Sequence, residues 1–167
     1  MAAETWTVRR AEPCDGDFII DMVVAAFNWR PVVGLSRPEL LSDPQLAIYG
    51  TDWLREGDLG VVAVQEGARI GAAWVRRFEK RDRTYGFVDR RTPELTVAVL
   101  KPSRGQGVGR ALLRELFDVT RSARIARISL NVEHGNPAAA LYLSEGFRVV
   151  ATKHRADTML KDLRAAG

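Results

Sequence analysis

The stretch Arg104-Gly105-Gln106-Gly107-Val108-Gly109-Arg110 decides how the rest of the chain is read. It lies between an apolar, β-rich run, Leu95 to Leu100, and a segment whose Leu112, Leu113, Leu116, Phe117 and Val119 recur at helical spacing. Glycines let a backbone approach an oxyanion and take dihedrals that a side chain forbids. The helix that follows leaves its first N–H groups unpaired and presents the positive end of its dipole. A strand, glycine turn and helix in this order suit a pyrophosphate, and Arg104 and Arg110 add charge beside it. The bland alternative is a turn that only packs the helix on the sheet. A nucleotide P-loop is excluded, because no Gly-Lys-Ser/Thr follows. The dinucleotide fingerprint fits poorly: Arg110 stands where its third glycine belongs, and the loop comes late in the chain instead of opening a βαβ series.

Working outward, Arg127 to Val132 reads as the next strand, and Asn136 to Glu145 as a short helix ended by Gly146. Strands at about Phe147 to His154 and Thr158 to Leu163 follow. Upstream, Thr5 to Arg10 alternates like a strand. Asp15 to Asn28 carries Phe18, Ile19, Met22, Val23, Ala26 and Phe27 at helical spacing, with Asp15 as its N-cap. Residues 29–42 hold Pro31, Gly34 and Pro38 and read as a loop with at most a short helix. Asp43-Pro44 is a cap and first-turn pair for a helix through about Glu56. Leu59 to Gln65 and Arg69 to Phe78, joined around Glu66-Gly67-Ala68, form a hairpin, and Glu79 to Arg91 is a charged mobile loop anchored by Tyr85 and Phe87. The order is α/β, with one strand–helix–strand crossover near the middle.

Length and composition agree with that reading. The 167 residues suffice for a single domain with a real core, and 46% hydrophobic and 28% charged residues mark a globular chain. One cysteine, Cys14, read as a loop residue before the first helix, excludes an internal disulfide framework and a cysteine-based zinc cluster. The N-terminal residues lack an apolar run of signal-peptide length, and no stretch is long enough to span a bilayer, so a cytoplasmic protein without membrane partner is expected. A net charge of +4 suits an anionic small molecule as well as nucleic acid. The basic residues are spread along the chain and no nucleic-acid motif appears, so a nucleic-acid-binding module ranks low.

The glycine loop matches Q/R-x-x-G-x-G/A, with Arg104 in the first position and Gly107 and Gly109 as the glycines, and so resembles the acyl-CoA signature of the GNAT N-acetyltransferase superfamily. Leu95-Thr96-Val97-Ala98-Val99 resembles the family's fourth strand, and Leu130-Asn131-Val132-Glu133-His134-Gly135-Asn136 its fifth strand and the turn after it. Ala138-Ala139-Ala140-Leu141-Tyr142 with Gly146-Phe147 resembles its following helix. The resemblance covers residues 94–150 most strongly. It implies a central, mixed but mostly antiparallel sheet of about six or seven strands, with strands four and five splayed, flanked by about four helices.

The same resemblance implies the roles. Acetyl-CoA would be the cosubstrate, with no metal. The Val97-Ala98-Val99 segment would hold the pantetheine arm through backbone groups of Val97 and Val99. N–H groups of Gly105, Gln106, Gly107, Val108, Gly109 and Arg110 would hold the pyrophosphate beside Arg104. Asn136 would touch the pantetheine arm, or simply cap the helix before Pro137. Tyr142 would be the general acid for the thiolate, or else a core tyrosine. The base is less direct. Asn131 occupies the place of a glutamate found in related ribosomal-protein acetyltransferases, and asparagine takes no proton. Glu94 is the preferred base, with Glu133 and His134 in reserve. Attack would be direct in a ternary complex, with an N–H near Val99 polarising the carbonyl. The acceptor would be an amine of a small molecule or peptide, in a region bounded by the first helices and the loops near Tyr85 and His154. Phe27, Trp29, Trp53, Trp74 and Tyr85 are candidate walls. The basic run from Arg76 to Arg91 would favour an acidic acceptor if it faced the pocket. A non-catalytic acyl-CoA sensor is the alternative, and a homodimer is expected by analogy.

Overall fold

The computed structural model describes residues 5–32 and 34–164. Residues 1–4 of the expected N-terminal segment and residue 33 of the expected loop lie outside the described residues. Strands β1 (Trp6–Arg10), β2 (Leu59–Gln65), β3 (Ala68–Arg76), β4 (Glu94–Val99), β5 (Arg127–Glu133), β6 (Arg148–Lys153) and β7 (Ala156–Asp162) form one seven-stranded sheet in the order β1-β2-β3-β4-β5-β7-β6. Every pair is antiparallel except β4 with β5. Five α-helices occur among the described residues: α1 (Gly16–Phe27), α2 (Arg37–Ser42), α3 (Pro44–Ala47), α4 (Val108–Ser122) and α5 (Ala138–Ser144). The mixed, mostly antiparallel sheet expected from the sequence is therefore present, with one helix more than expected.

The sheet is covered on both sides, which explains why β2 and β3 read as continuous apolar runs instead of alternating. Val61, Ala63, Ala73 and Val75 join a core with Leu112, Leu113 and Leu116 of α4. Their neighbours Val62, Ala72 and Trp74 turn to the other face and meet Ile19, Met22 and Val23 of α1 and Leu40 of α2. The three α4 leucines are fully buried, each contributing roughly 1.5–3 kcal/mol of transfer free energy.

Several local expectations are corrected. Asp15 makes no side-chain cap on α1. Its fully buried carboxylate instead takes Arg9 at 2.8 and 2.9 Å, Arg69 at 2.6 Å and the Glu12 N–H at 2.7 Å, tying β1, β3 and the entry to α1 together. The Arg9 bond above all holds that carboxyl well below the usual range. The expected helix from Asp43 to Glu56 is only α3, capped as read by the Asp43 side chain on the Gln45 N–H, and then a run of turns. The loop before it contains the short helix the sequence allowed, α2, started by a reciprocal Ser36–Glu39 capping box that the sequence reading passed over. The expected loop 79–91 holds a short 3-10 turn, Lys80–Asp82.

The turns after α3 are fixed from β3. Trp74 and Arg76 point to the same face two residues apart. Trp74 Nε1 donates to the Tyr49 carbonyl at 2.9 Å, and Arg76 Nη1 donates to the carbonyls of Ile48 and Thr51 at 2.8 and 2.7 Å. Arg76 is balanced by Asp58 through bonds of 3.0 and 2.7 Å, both side chains being buried. Removing one partner of a buried pair leaves a charge without compensation. Asp58→Ala is therefore expected to lower unfolding free energy by about 3–5 kcal/mol in urea titrations; a loss below ~1 kcal/mol would show that Arg76 is not held by this pair.

Candidate active site

Strands β4 and β5 share a single paired position, Glu94 with Ser129. The Leu100 N–H donates to the Ile70 carbonyl, so even-numbered backbone groups of β4 turn to β3. The Ser129 N–H donates to the Pro93 carbonyl, so odd-numbered groups turn toward β5. Beyond Leu95, β5 has moved away, and the N–H and C=O groups of Val97 and Val99 face the opening. The Val99 carbonyl accepts from Arg104 Nε at 2.9 Å; among the described residues the other three groups make no hydrogen bond. A cleft of about 660 Å³ occupies the opening.

At one end lies the glycine loop. Arg104, Gly105, Gly107, Val108, Gly109 and Arg110 line the cleft, as do Val97, Ala98 and Val99. Gln106 does not, and its amide donates to the Pro102 carbonyl at 3.3 Å. Gly105 and Gly107 have φ of +75° and +84°, and a Cβ on either would meet nothing within 4 Å. Backbone conformation, not crowding, requires these glycines. Among the described residues, no hydrogen bond is made by the N–H groups of Gly105 to Arg110; the first bond into the helix comes from Ala111 to the Gly107 carbonyl. At Gly109 a Cβ would make only ordinary contact, 3.4 Å from Leu141 Cδ2.

Arg110 departs from expectation. Its guanidinium pairs with Glu145 and donates to Ser144 Oγ at 3.1 Å, and Arg114 approaches the same carboxylate. Among the described residues, the loop therefore has one guanidinium beside it without an ion-pair partner, Arg104, instead of two. Asn136 lines the cleft and its Oδ1 also accepts from the Ala138 N–H at 2.9 Å, so it caps α5 from the cleft wall. Tyr142 lines the cleft from α5; burial pushes its phenol up, which keeps the proton on the oxygen.

Glu94 sits at the opposite end of β4. It is 3% exposed, and Oε1 accepts from the Tyr49 hydroxyl at 3.1 Å and the Gly86 N–H at 2.9 Å. Oε2 and the nearby Thr84 hydroxyl are buried without a hydrogen-bond partner among the described residues. Burial pushes the Glu94 carboxyl up to about 7, against the opposing pull of the Gly86 and Tyr49 donors. Tyr49 is held in turn by the Tyr85 N–H at 2.8 Å. The segment around Gly86 is clamped onto the strand junction, because Ser129 Oγ donates to the Gly86 carbonyl at 2.7 Å.

The reserve bases are otherwise engaged. Glu133 lines the cleft but pairs with Arg30 at 2.7 Å, and His134 lies 2.9 Å from Asp157 outside it. Asn131 lines the cleft across from β4. Of the candidate walls, Phe27, Trp29 and Tyr85 line the cleft. Trp74 and Trp53 do not; they serve the core and the Glu12 carbonyl respectively. His154 is also away from the cleft, in the β6–β7 turn. From the basic run 76–91, Tyr85 alone among the described residues lines the cleft, so that charge does not face a bound molecule. The sequence reading missed Tyr49, which is 45 residues from Glu94 and lay in a segment read as helix. Among the described residues no three His, Cys, Asp or Glu side chains are grouped to hold a metal ion, and no helix is long and apolar enough to cross a membrane.

A carboxyl whose pKa is raised by folding keeps a proton that the unfolded chain releases. Its contribution falls as pH rises from the ordinary 4.5 to about 7. Wild-type protein should thus lose about 3 kcal/mol relative to Glu94→Gln between pH 4.5 and 7. Denaturant titrations of both proteins at several pH values measure this difference; parallel curves would mean that folding leaves the Glu94 pKa where it is in the unfolded chain.

Three comparisons place the chain. The model of the acetyltransferase (GNAT) family matches residues 24–147. Among solved structures, YncA from Salmonella typhimurium, assigned as an acetyltransferase and solved with its cofactor acetyl-CoA, is 26% identical with a TM-score of 0.69, covering 97% of this chain and 96% of that one. A ribosomal-protein-alanine N-acetyltransferase from Brucella melitensis is also 26% identical, with a TM-score of 0.64 over 93% and 99% of the two chains. The PaiA N-acetyltransferase from Thermoplasma acidophilum, solved with coenzyme A, shares the fold at 16% identity and a TM-score of 0.65, over 95% and 99%. No curated protein sequence matches. With three-quarters of its length matched by the family model and a sheet opened between its one parallel pair, the chain belongs to the GNAT acetyltransferase family.

Proposed function

We propose that the protein transfers the acetyl group of acetyl-CoA to a primary amine, by direct attack within a ternary complex. The observation that carries this reading is the continuity of the cleft. Free N–H groups on the glycine loop, open backbone groups on β4 and a buried carboxyl of raised pKa follow one another along a single wall.

The residues fit the donor. The run of unpaired N–H groups at the start of α4, with Arg104 beside it, matches a pyrophosphate, and the open space over Gly105 and Gly107 leaves room for close approach. Val97 and the Val99 N–H extend an amide-bearing arm like an added strand, with Ala98 between them and Asn136 on the facing wall. When bound, acetyl-CoA supplies an acetyl group activated as a thioester.

The chain then has two proton tasks. Glu94 takes the proton that the amine must lose as its nitrogen forms a bond to the acetyl carbon. Its pKa near 7 suits it to accept that proton at neutral pH. Tyr142, kept protonated by burial, donates to the sulfur as the carbon–sulfur bond breaks. A backbone N–H of β4 that faces the opening is the donor for the carbonyl oxygen, as negative charge collects there. Tyr49 and Gly86 fix the orientation of Glu94 and leave Oε2 free for the amine. The chain, residues 1–167, acts as a single acetyltransferase domain, a reading supported by one core that takes Trp6 and Val8 from β1 and Met159 from β7.

Calorimetric titration with acetyl-CoA is expected to show saturable one-to-one binding. The Gly105→Asp, Gly107→Asp double variant places two carboxylates where the anion would lie and should weaken binding on the order of 100-fold. Tyr142→Phe should keep that affinity and lose kcat by roughly 100-fold. Undiminished kcat in Tyr142→Phe would remove the proposed acid, and absence of binding by folded wild type would remove the donor assignment.

A further inference from the structure

The acceptor end of the cleft has a chemistry of its own. Phe27 meets Tyr49 edge-on with centroids 5.8 Å apart and Tyr85 at 6.3 Å, while Tyr49 and Tyr85 lie parallel at 6.4 Å. These three rings line the cleft beside Glu94, the carboxyl to which Tyr49 donates. The aromatic faces carry negative quadrupole charge and attract cations within about 6 Å. They also supply a large apolar surface.

The distribution of charge is as telling. The only cations lining the cleft, among the described residues, are Arg104 and Arg110. Both belong to the glycine loop near Val99, a strand's length of roughly 17 Å from Glu94, and Arg110 is already paired. The other lining carboxylate, Glu133, is neutralised by Arg30, whose guanidinium also lies 4.8 Å over the Trp29 ring. The acceptor end thus offers one carboxyl, three rings, and no partner for an anion or for a second ammonium.

Resting on the transferase reading above, we propose that the acceptor is a primary amine carried on an aromatic or compact apolar body and lacking a carboxylate. Its ammonium sits against the rings of Phe27, Tyr49 and Tyr85 and gives its proton to Glu94; its body packs on the same rings. An amino acid would bring a carboxylate to a site that already holds one and has no cation to meet it.

The test pairs each amine with its carboxylated counterpart: phenethylamine with phenylalanine, tyramine with tyrosine. Spermidine and a short peptide with a free N-terminus complete the panel. CoA release is followed, and acetyl-CoA binding is measured separately by calorimetry. The kcat/KM for phenethylamine is expected to exceed that for phenylalanine on the order of 100-fold. Tyr85 is half exposed, so substitution there is tolerated by the fold. Tyr85→Ala should raise KM for phenethylamine several-fold without changing acetyl-CoA affinity. Tyr85→Arg should narrow the preference over phenylalanine at least ~10-fold. Equal or better turnover of phenylalanine, spermidine or the peptide would overturn the proposal. So would acetyl-CoA binding with no amine of the panel acetylated, which leaves the donor reading standing. Loss of acetyl-CoA binding itself would remove the reading beneath both.

Discussion

The active site depends on where a parallel strand pair is allowed to end. Glu94 and Ser129 are the last residues that hold β4 and β5 together, and the same two side chains bind the backbone of Gly86 from either side. Gly86 has to be glycine there: a Cβ would lie 2.8 Å from Glu94 Oε1 and 2.8 Å from the Leu130 carbonyl carbon. The loop is thereby pressed against the junction. Past it, the unpaired edges of both strands form the two walls of the cleft. An opening inside a sheet leaves backbone polar groups without partners, which is costly in a protein interior. The groups so exposed are those that an amide-bearing arm can satisfy.

That junction is supported in steps from the core. Asp58 balances Arg76, Arg76 and Trp74 hold the turn after α3, and the turn presents Tyr49 to Glu94. Each step is a buried polar contact, strong because water is excluded and unforgiving if one member is lost. The end of this series is a carboxyl kept out of water, at some expense of stability near neutral pH. Function and stability pull in opposite directions at this residue, as they often do where a group must exchange a proton.

Electrostatics divide the cleft. Among the described residues, the anion-binding end relies on backbone dipoles and one guanidinium without an ion-pair partner, while the other end has aromatic rings and one carboxyl. Arg110 illustrates how a charge counted in sequence can be spent elsewhere. It and Arg114 converge on Glu145, and Lys161 donates to the Glu145 carbonyl at 2.6 Å, so these cations join α4, α5 and β7.

The sequence alone determined the strand order of the hairpin β2–β3, the crossover through α4, and the glycine loop, because each is written in local terms: periodicity, turn residues and unpaired N–H groups. Gly105 and Gly107 could be singled out because their conformation is a property of the residue itself. Glu94 was legible only through resemblance, as a lone glutamate at a strand start says nothing of its burial. Tertiary structure alone decided the rest. Asp15 looked like a helix cap but became the buried anchor of two arginines, and Arg110 looked like a phosphate ligand but became an ion-pair partner. Phe27 and Tyr85 were named as walls, but Tyr49, Gly86 and the packing of the three rings were invisible, because their roles lie in contacts between residues far apart in the chain. Local propensity carries information about the chain's own neighbours; partner choice and desolvation are settled only when distant segments pack.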